Sequence, residues 1–434
     1  MKASFEVDVV DLSHDGRGVA RHNGKAMFVA GALPGETVRV IRNKRRSKHD
    51  DAELEAVVVA SAERVAAPCV HYDRCGGCAL QHLEPAAQLR AKHAQLQSEL
   101  ERIGKVTPQH WLDPLDGPWL GYRRKARLGV RVLPKSGRAI IGFRERHSPL
   151  LANVRTCAVL AEPIGSLVDT LGTLISTLSI AEHVPQIELA IGERTTVLVV
   201  RVMQTPSDED VEKLRAFGQE RGLSFWLQPG GVHTAAPIDP MAVPLDYTVP
   251  EFDIRLEFQP LDFVQVNAEL NRTMIRHAID LLDPKPTDRV LDLYCGLGNF
   301  TLPLARRAGE VVGVEGDEGL VARARANAEA NGLQNVRFAV ADLFKPVADE
   351  IWSRQKYDLI LLDPPRAGSV EMLPTIAAMQ ARRIVYVSCH PGSLARDAGI
   401  LVREHGYTLR SAGIMNMFPH TGHVESIAVF ERNA

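Results

Sequence analysis

Residues 289–300 read RVLDLYCGLGNF: a strand pattern that runs into Cys295-Gly296-Leu297-Gly298-Asn299-Phe300 and then into the helical stretch FTLPLARRA. Strand, glycine turn and helix in that order bring backbone close to a ligand at the carboxyl edge of a sheet. Taken alone, G-x-G is a weak signal. Thr301 stands where G-x-G-x-x-G would finish, which disfavours a nicotinamide or flavin dinucleotide.

Working outward, strands alternate with helices from about residue 261 onward. NAELNRTMIRHAIDLL and VARARANAEANG read as helices, and VVGVE, VRFAV, YDLILLD and RRIVYVS as strands. That alternation predicts a doubly wound, mostly parallel sheet. After the helix SLARDAGILVREHG come two strand-like segments, LRSAGIMN and ESIAVFER, joined by MFPHTGHV. The strand after the glycine turn ends in Glu315, a carboxylate suited to two ribose hydroxyls, and the next ends in Ala341-Asp342, an acid suited to an adenine amino group. Each acid alone reads equally well as a helix N-cap. Together they outline an adenosine site.

Toward the N-terminus, residues 1–62 show short alternating strands (SFEVDVVDL, GVARHN, KAMFVAGAL, ETVRVIRN, ELEAVVVAS) about ten residues apart, which predicts a five-stranded β-barrel of the oligonucleotide-binding type. Residues 63–262 read as a mixed α+β central domain, with the Pro/Gly-rich stretch 228–250 as a connection, and 263–434 as the doubly wound domain. The whole is a multidomain α/β chain, as its 434 residues lead one to expect. With 51 basic and 53 acidic residues the chain is near neutral, but two segments are basic. Six cations (Arg39, Arg42, Lys44, Arg45, Arg46, Lys48) lie between positions 39 and 48, and ten face the single acid Glu145 between 121 and 155. Arg123, Arg124, Lys125 and Arg127 are the first candidates to grip phosphate; a solvated face is the plainer reading. No apolar run approaches the roughly 18 residues that cross a bilayer, and the N-terminus has no signal-peptide core, so the expected location is the cytoplasm.

Six cysteines are too few for a disulfide scaffold. Cys69-x5-Cys75-x2-Cys78, with Gly76 and Gly77 permitting tight wrapping, reads as a metal loop that Cys157 completes. Zinc accepts four thiolates equally well, and His71 or His82 is a substitute for the distant ligand. The spacing differs from the C-x3-C-x2-C of radical enzymes.

DLYCGLGNF, LLDPPRAG, VSCHP and HVE together resemble the RNA uracil-5-methyltransferase family, within the class I S-adenosylmethionine-dependent methyltransferases. The resemblance covers nearly the whole chain, and a TRAM barrel with a four-cysteine site is the pattern of its 23S ribosomal RNA branch. It implies a [4Fe-4S] cluster on Cys69, Cys75, Cys78 and Cys157. It implies that Gln265, Tyr294, Asn299, Glu315, Asp342 and Asp363 contact S-adenosylmethionine or shape its pocket, with Tyr294 where relatives often carry Phe. Cys389 becomes the nucleophile and Glu425 the base. The implied substrate is a uridine of 23S rRNA, with uridine 1939 the first expectation and a related 23S rRNA or tRNA uridine the alternative. No membrane or obligate protein partner is expected.

The chemistry supports these roles. Carbon 5 of uracil is a poor nucleophile until a thiolate adds at carbon 6, and Cys389 lies at the end of RRIVYVS, where such sheets place their sites. A carboxylate must then take the carbon 5 proton. Out of context, a cysteine on a core strand is a small apolar residue, and Cys295 in the glycine turn keeps that structural reading. The uridine has to be single-stranded or flipped. Two rivals stand beside this reading: an amino-directed methyltransferase, since Asp363-Pro364-Pro365 resembles an amine-receiving motif, and a noncatalytic RNA-binding factor with a vestigial domain.

Overall fold

The computed structural model describes residues 4–146, 148–240 and 243–433. The outermost residues of the expected segments 1–62 and 263–434 lie outside them, as does the side chain of Lys44 in the basic run. Strands β1 (Ser4–Leu12), β2 (Gly18–His22), β3 (Lys25–Val29), β4 (Thr37–Arg45) and β5 (His49–Val59) close into a barrel in the order β1-β2-β3-β5-β4. Alternation turns Val7, Val9, Ala20, Met27, Val29, Val38 and Val40 inward, and closure leaves no free edge. The basic run on β4 is partly spent within the barrel. Arg39 pairs with Glu6 at 2.9 Å, Arg42 with Asp50 at 3.1 Å and Arg46 with Asp51 at 2.9 Å, while Arg39 and Arg46 stay about half exposed.

Next come α1 (Pro85–Glu99), the two-residue β6 (His110–Trp111), β7 (Lys125–Val132), β8 (Ala139–Gly142), α2 (Ile164–Ser176), β9 (Gln186–Ile191), β10 (Thr196–Arg201), α3 (Asp208–Arg221), β11 (Leu223–Gln228) and β12 (Ala236–Pro237). A six-stranded sheet, β12-β11-β10-β9-β7-β8, packs against α2 and α3 through Val168, Leu171, Ile175 and Leu214. The stretch 228–250 is not all connection. Leu245–Val249 forms β13, paired with β14 (Ile254–Phe258) from Leu245↔Phe258 to Val249↔Ile254; IRLEF buries alternate residues, whereas LDYTV buries all but Thr248.

The C-terminal part contains α4 (Ala268–Leu282), β15 (Arg289–Leu293), α5 (Thr301–Ala305), β16 (Glu310–Glu315), α6 (Glu318–Ala330), β17 (Val336–Val340), β18 (Leu359–Leu362), α7 (Leu373–Met379), β19 (Arg383–Ser388), α8 (Pro391–His405), β20 (Tyr407–Met415) and β21 (Glu425–Arg432). Its eight-stranded sheet runs β17-β16-β15-β18-β19-β21-β20-β6. The first five strands are parallel; β21 lies antiparallel to β19 and β20. Both faces are covered by apolar layers, one including Leu291, Ile360 and Tyr386, the other Val290, Leu359 and Val385.

Packing crosses the expected boundary at 262. Leu96 and Leu100 at the end of α1 join the first layer, and Tyr247, Leu256 and Phe258 of the β13–β14 hairpin join the second. Elements from the middle of the chain thus flank the sheet edge where the strands end.

Candidate active site

The glycine turn leaves β15 through three left-handed residues, Tyr294 (φ 64°), Gly296 (φ 55°) and Gly298 (φ 99°). A β-carbon at Gly298 would lie 2.3 Å from Leu302, whereas none at Gly296 would meet anything within 4 Å: backbone faces open space there. Glu315, closing β16, receives the Gly296 N–H at 3.1 Å and those of Gly316 and Asp317 at 2.8 and 3.1 Å, so it clamps the turn to its own strand end. The Tyr294 hydroxyl meets Ser369 Oγ at 3.0 Å, and its ring lies 6.2 Å from the exposed ring of Phe344. Phe344, an aromatic two residues beyond Asp342, was not legible as a site residue. Asp342 is exposed and accepts from the Phe344 N–H while pairing with Lys345 at 2.9 Å.

Asn299 is held from behind. It exchanges two 3.0 Å hydrogen bonds with Asn271 and accepts from the Tyr247 hydroxyl at 2.8 Å, so its carboxamide ties α4 and β13 to the turn. Gln265 lines a small hollow with Tyr247, Phe258 and Asn271 on the same side.

Cys389 follows the last residue of β19, and His390 caps α8 by accepting the Ser393 N–H at 3.1 Å. Asp363 follows β18, and Glu425 opens β21 opposite Met415. Topology therefore gathers three acidic groups that are far apart in sequence. Burial raises all three. Glu425 is pushed up to about 8, with nearby Asp363 adding to the shift and Arg366 and Lys92 opposing it. Asp363 is pushed up to about 7. The Cys389 thiol rises to about 11 through burial and the charges of Glu425 and Asp363, and Arg366 draws it down. Arg366 is fixed by a 2.8 Å hydrogen bond to His423 Nδ1. Cys295, by contrast, is buried inside the turn.

Cys389, Arg366 and His423 line a cleft of about 800 Å³, and so do Cys69, Cys75, Cys78, Cys157, Arg123 and the barrel residues His14 and Asp15. The cysteine loop wraps tightly: a β-carbon on Gly76 would lie 2.9 Å from the Arg144 carbonyl, and the Gly77 N–H points at Cys75 Sγ, 3.4 Å away. Arg146 donates to the carbonyls of Cys75 and Cys78 at 3.2 and 2.7 Å. Burial raises the thiols of Cys75, Cys78 and Cys157, Cys78 to about 12, and they feel one another's charge. His71 is engaged through Nε2, which accepts from the Arg155 N–H at 3.0 Å, and His82 Nδ1 contacts the Tyr72 hydroxyl at 2.5 Å. Among the described residues no three His, Cys, Asp or Glu side chains converge closely enough for a single metal ion.

The expected phosphate grip is largely redirected. Lys125 Nζ donates to the Pro260 and Asp262 carbonyls, Arg127 pairs with Glu188 at 2.9 Å, and Arg124 is half-buried. Arg123 alone of the four lines the cleft, with its guanidinium 6.0 Å from the Phe418 ring. Lys92 and Gln88 on α1, both buried, bond to the segment that precedes Glu425; charged and polar residues on a helix gave no sign of this in the sequence.

Residues 239–433 match the tRNA (Uracil-5-)-methyltransferase family model, and residues 3–42 the TRAM domain. A 23S rRNA (uracil(1939)-C(5))-methyltransferase RlmD from Stenotrophomonas maltophilia is 52% identical over 434 residues, covering 99% of this chain and 98% of the relative. The RlmD of Alkalilimnicola ehrlichii is 52% identical over 432 residues, with 99% and 97% covered. The fold is shared with the tRNA (uracil-54, C5)-methyltransferase of Pyrococcus abyssi, solved with S-adenosyl-L-homocysteine, at 23% identity and a TM-score of 0.75 over 98% of this chain and all of that one. With one residue in two identical over nearly the full length of such relatives, the chain belongs to the S-adenosylmethionine-dependent RNA uracil-5-methyltransferase family.

Proposed function

We propose that the chain methylates carbon 5 of a uridine in 23S rRNA, the position corresponding to uracil 1939 of its relatives, with Cys389 as nucleophile and Glu425 as base. The observation that carries this is the pairing of β19 with β21, which brings Glu425 close enough for its charge to act on the half-buried Cys389 thiol that lines the cleft. Tyr294, Glu315, Asp342, Asn299, Gln265 and Asp363 belong to or support the cofactor pocket. The open backbone at Gly296 and the Tyr294 and Phe344 rings favour an adenosine group there. When bound, S-adenosylmethionine supplies an electrophilic methyl on a positively charged sulfur.

Cys389 attacks carbon 6 as a thiolate. Its raised pKa means that ionisation depends on neighbouring positive charge, from Arg366 above all, and is opposed by the negative charges of Asp363 and Glu425. Addition leaves an enolate whose carbon 5 takes the methyl. The Glu425 carboxylate then removes the carbon 5 proton, the C5–H electrons restore the C5–C6 double bond, and the C6–S bond breaks to return the Cys389 thiolate. The base is buried inside the fold, so the uridine reaches it only when flipped from its stack. Arg123 and the TRAM barrel flank the entrance.

The four-cysteine loop is proposed to hold a [4Fe-4S] cluster. Cys69, Cys75, Cys78 and Cys157 line one cleft, the thiols of Cys78 and Cys157 feel the charge of the other cysteines, and His71 Nε2 is taken by the Arg155 N–H, which favours thiolate donors; His82 keeps a buried Nε2 without a partner. The cluster's chemistry there would be structural, fixing the loop that packs between barrel and active site.

The test is to mix protein, labelled cofactor and a 23S rRNA fragment carrying 5-fluorouridine, and look for a denaturation-resistant adduct. Fluorine cannot leave as a proton, so the adduct is expected through Cys389 at the mapped uridine. Methyl transfer without any adduct, or with full activity in Cys389→Ala, overturns the reading.

A further inference from the structure

The residues that deliver Glu425 are not anchored by the sheet alone. The segment 416–424 joins β20 to β21, and α1 reaches it from the far side of the sequence. Gln88, Lys92 and Leu96 lie at helical spacing on one face of α1 and all are buried, at 0%, 3% and 0% exposure. Gln88 accepts the His420 N–H at 3.0 Å and donates to the Leu80 and Leu83 carbonyls at 2.9 and 2.8 Å. Lys92 Nζ donates to Asn416 Oδ1 at 2.8 Å and to the Phe418 carbonyl at 2.9 Å. Asn416 in turn donates to Asp116 Oδ1 at 2.9 Å. Gln88 and Lys92 of α1 thus join Asn416, Phe418 and His420 in one strut, with Asp116 of a third segment at its exposed end.

A neutral donor would serve to hold an amide and a carbonyl. An ammonium in the interior costs several kcal/mol unless opposite charge faces it, so its presence here needs a reason. Both direct acceptors are neutral, and the charges Lys92 meets are those of Asp116 and Glu425. Seen from Glu425, the facing groups are Asp363 and Arg366 from the β18 end, Cys389 from the β19 end and Lys92 from α1; His420 and His423 also feel the lysine.

We propose that Lys92 is a positioning residue for the second half of the reaction: it fixes the segment that presents Glu425 and supplies the buried positive charge that favours its carboxylate, so that it governs proton removal from carbon 5 and not attack by Cys389. This rests on Glu425 being the base. Burial draws the Lys92 ammonium below its ordinary range, and the charges of Asp116 and Glu425 oppose that and help keep its proton in place.

The experiment compares Lys92→Met, Gln88→Leu and Glu425→Gln in the full chain, on rRNA fragments carrying either uridine or 5-fluorouridine. Adduct formation on 5-fluorouridine reports attack and methyl transfer; turnover on uridine adds proton removal. In Lys92→Met, adduct formation is expected within about twofold of the parent. Turnover falls about tenfold at neutral pH, its rising pH limb moves up by about one unit, and methylated adduct builds up on ordinary uridine. Gln88→Leu loosens the same segment without removing a charge, so its turnover falls while the pH limb stays in place. If the limb of Lys92→Met also stays in place, or its adduct formation falls as far as its turnover, the proposal is overturned. Melting curves check folding, and Lys92→Gln, which keeps a donor and drops the charge, replaces Lys92→Met should that variant not fold. Glu425→Gln separates the two readings: if it turns over at the parental rate without accumulating adduct, it is the base assignment that fails, whatever Lys92 does.

Discussion

Replacing Glu425 by Gln should make the protein more stable at neutral and alkaline pH while halting its turnover. In the folded chain burial and Asp363 hold the carboxyl proton up to about 8, whereas in the unfolded chain it is released near the ordinary 4.5. The folded state therefore keeps a proton that the unfolded state gives up, and stability falls as pH rises from about 4.5 to about 8. At pH 7 the separation is about 2.5 units, which at 1.36 kcal/mol per unit amounts to about 3 kcal/mol that Glu425→Gln recovers; at pH 5 it is below about 1 kcal/mol. For a folding unit of 150–250 residues, about 3 kcal/mol corresponds to roughly 6–12 °C in melting temperature. Thermal unfolding of parent and variant at pH 5 and pH 8 reads this directly. A gap that is the same at both pH values, or a variant less stable at pH 8, would show that Glu425 is not held protonated and that the charge cluster is misread.

Three further outcomes are expected. Cys389→Ser abolishes the 5-fluorouridine adduct, while Cys295→Ala, buried in the turn, retains it, as seen on a denaturing gel. Cys69→Ala loses the broad visible absorption of an iron–sulfur cluster but leaves the separately cored barrel folded, which circular dichroism checks against the parent. Asn299→Ala removes the bonds that join Asn271 and Tyr247 to the glycine turn, and the buried partners it strands cost about 1–3 kcal/mol in denaturant unfolding together with weaker cofactor binding.

The sheet was legible because its signals are local. The strand around Val290, the glycine turn with left-handed Gly296 and Gly298, and the helix pattern from Ala268 each lie within a dozen residues, and the order of such units fixes which strand ends converge. Cys389 could be placed at a strand end for the same reason, whereas Glu425 was named only because His423-Val424-Glu425 resembles the family's base. What escaped was set by distant pairing. That Glu6, Asp50 and Asp51 stand opposite Arg39, Arg42 and Arg46 is not visible in the basic run itself. Lys125 read as a candidate phosphate contact, but its ammonium donates to the Pro260 and Asp262 carbonyls. Gln88 and Lys92 look like solvent-facing helix residues because a polar side chain gives no sign in the sequence that it is a strut. Leu245–Val249 was hidden by the prolines before it, although its partner strand lies only a few residues beyond.

Near the catalytic end of the molecule, Gly422 sits so close to the barrel that a β-carbon would come within 2.5 Å of the His14 carbonyl, and the Ala79 and Leu80 N–H groups both donate to the carbonyl of His420. Three loops, made early, somewhat later and very late in translation, thus interlock like the pieces of a clasp. A polypeptide halted before residue 418 carries the barrel and Cys389 but neither the closing loop nor Glu425. The clasp can therefore close only once the last residues have been made, against a barrel whose strands all come first in the chain.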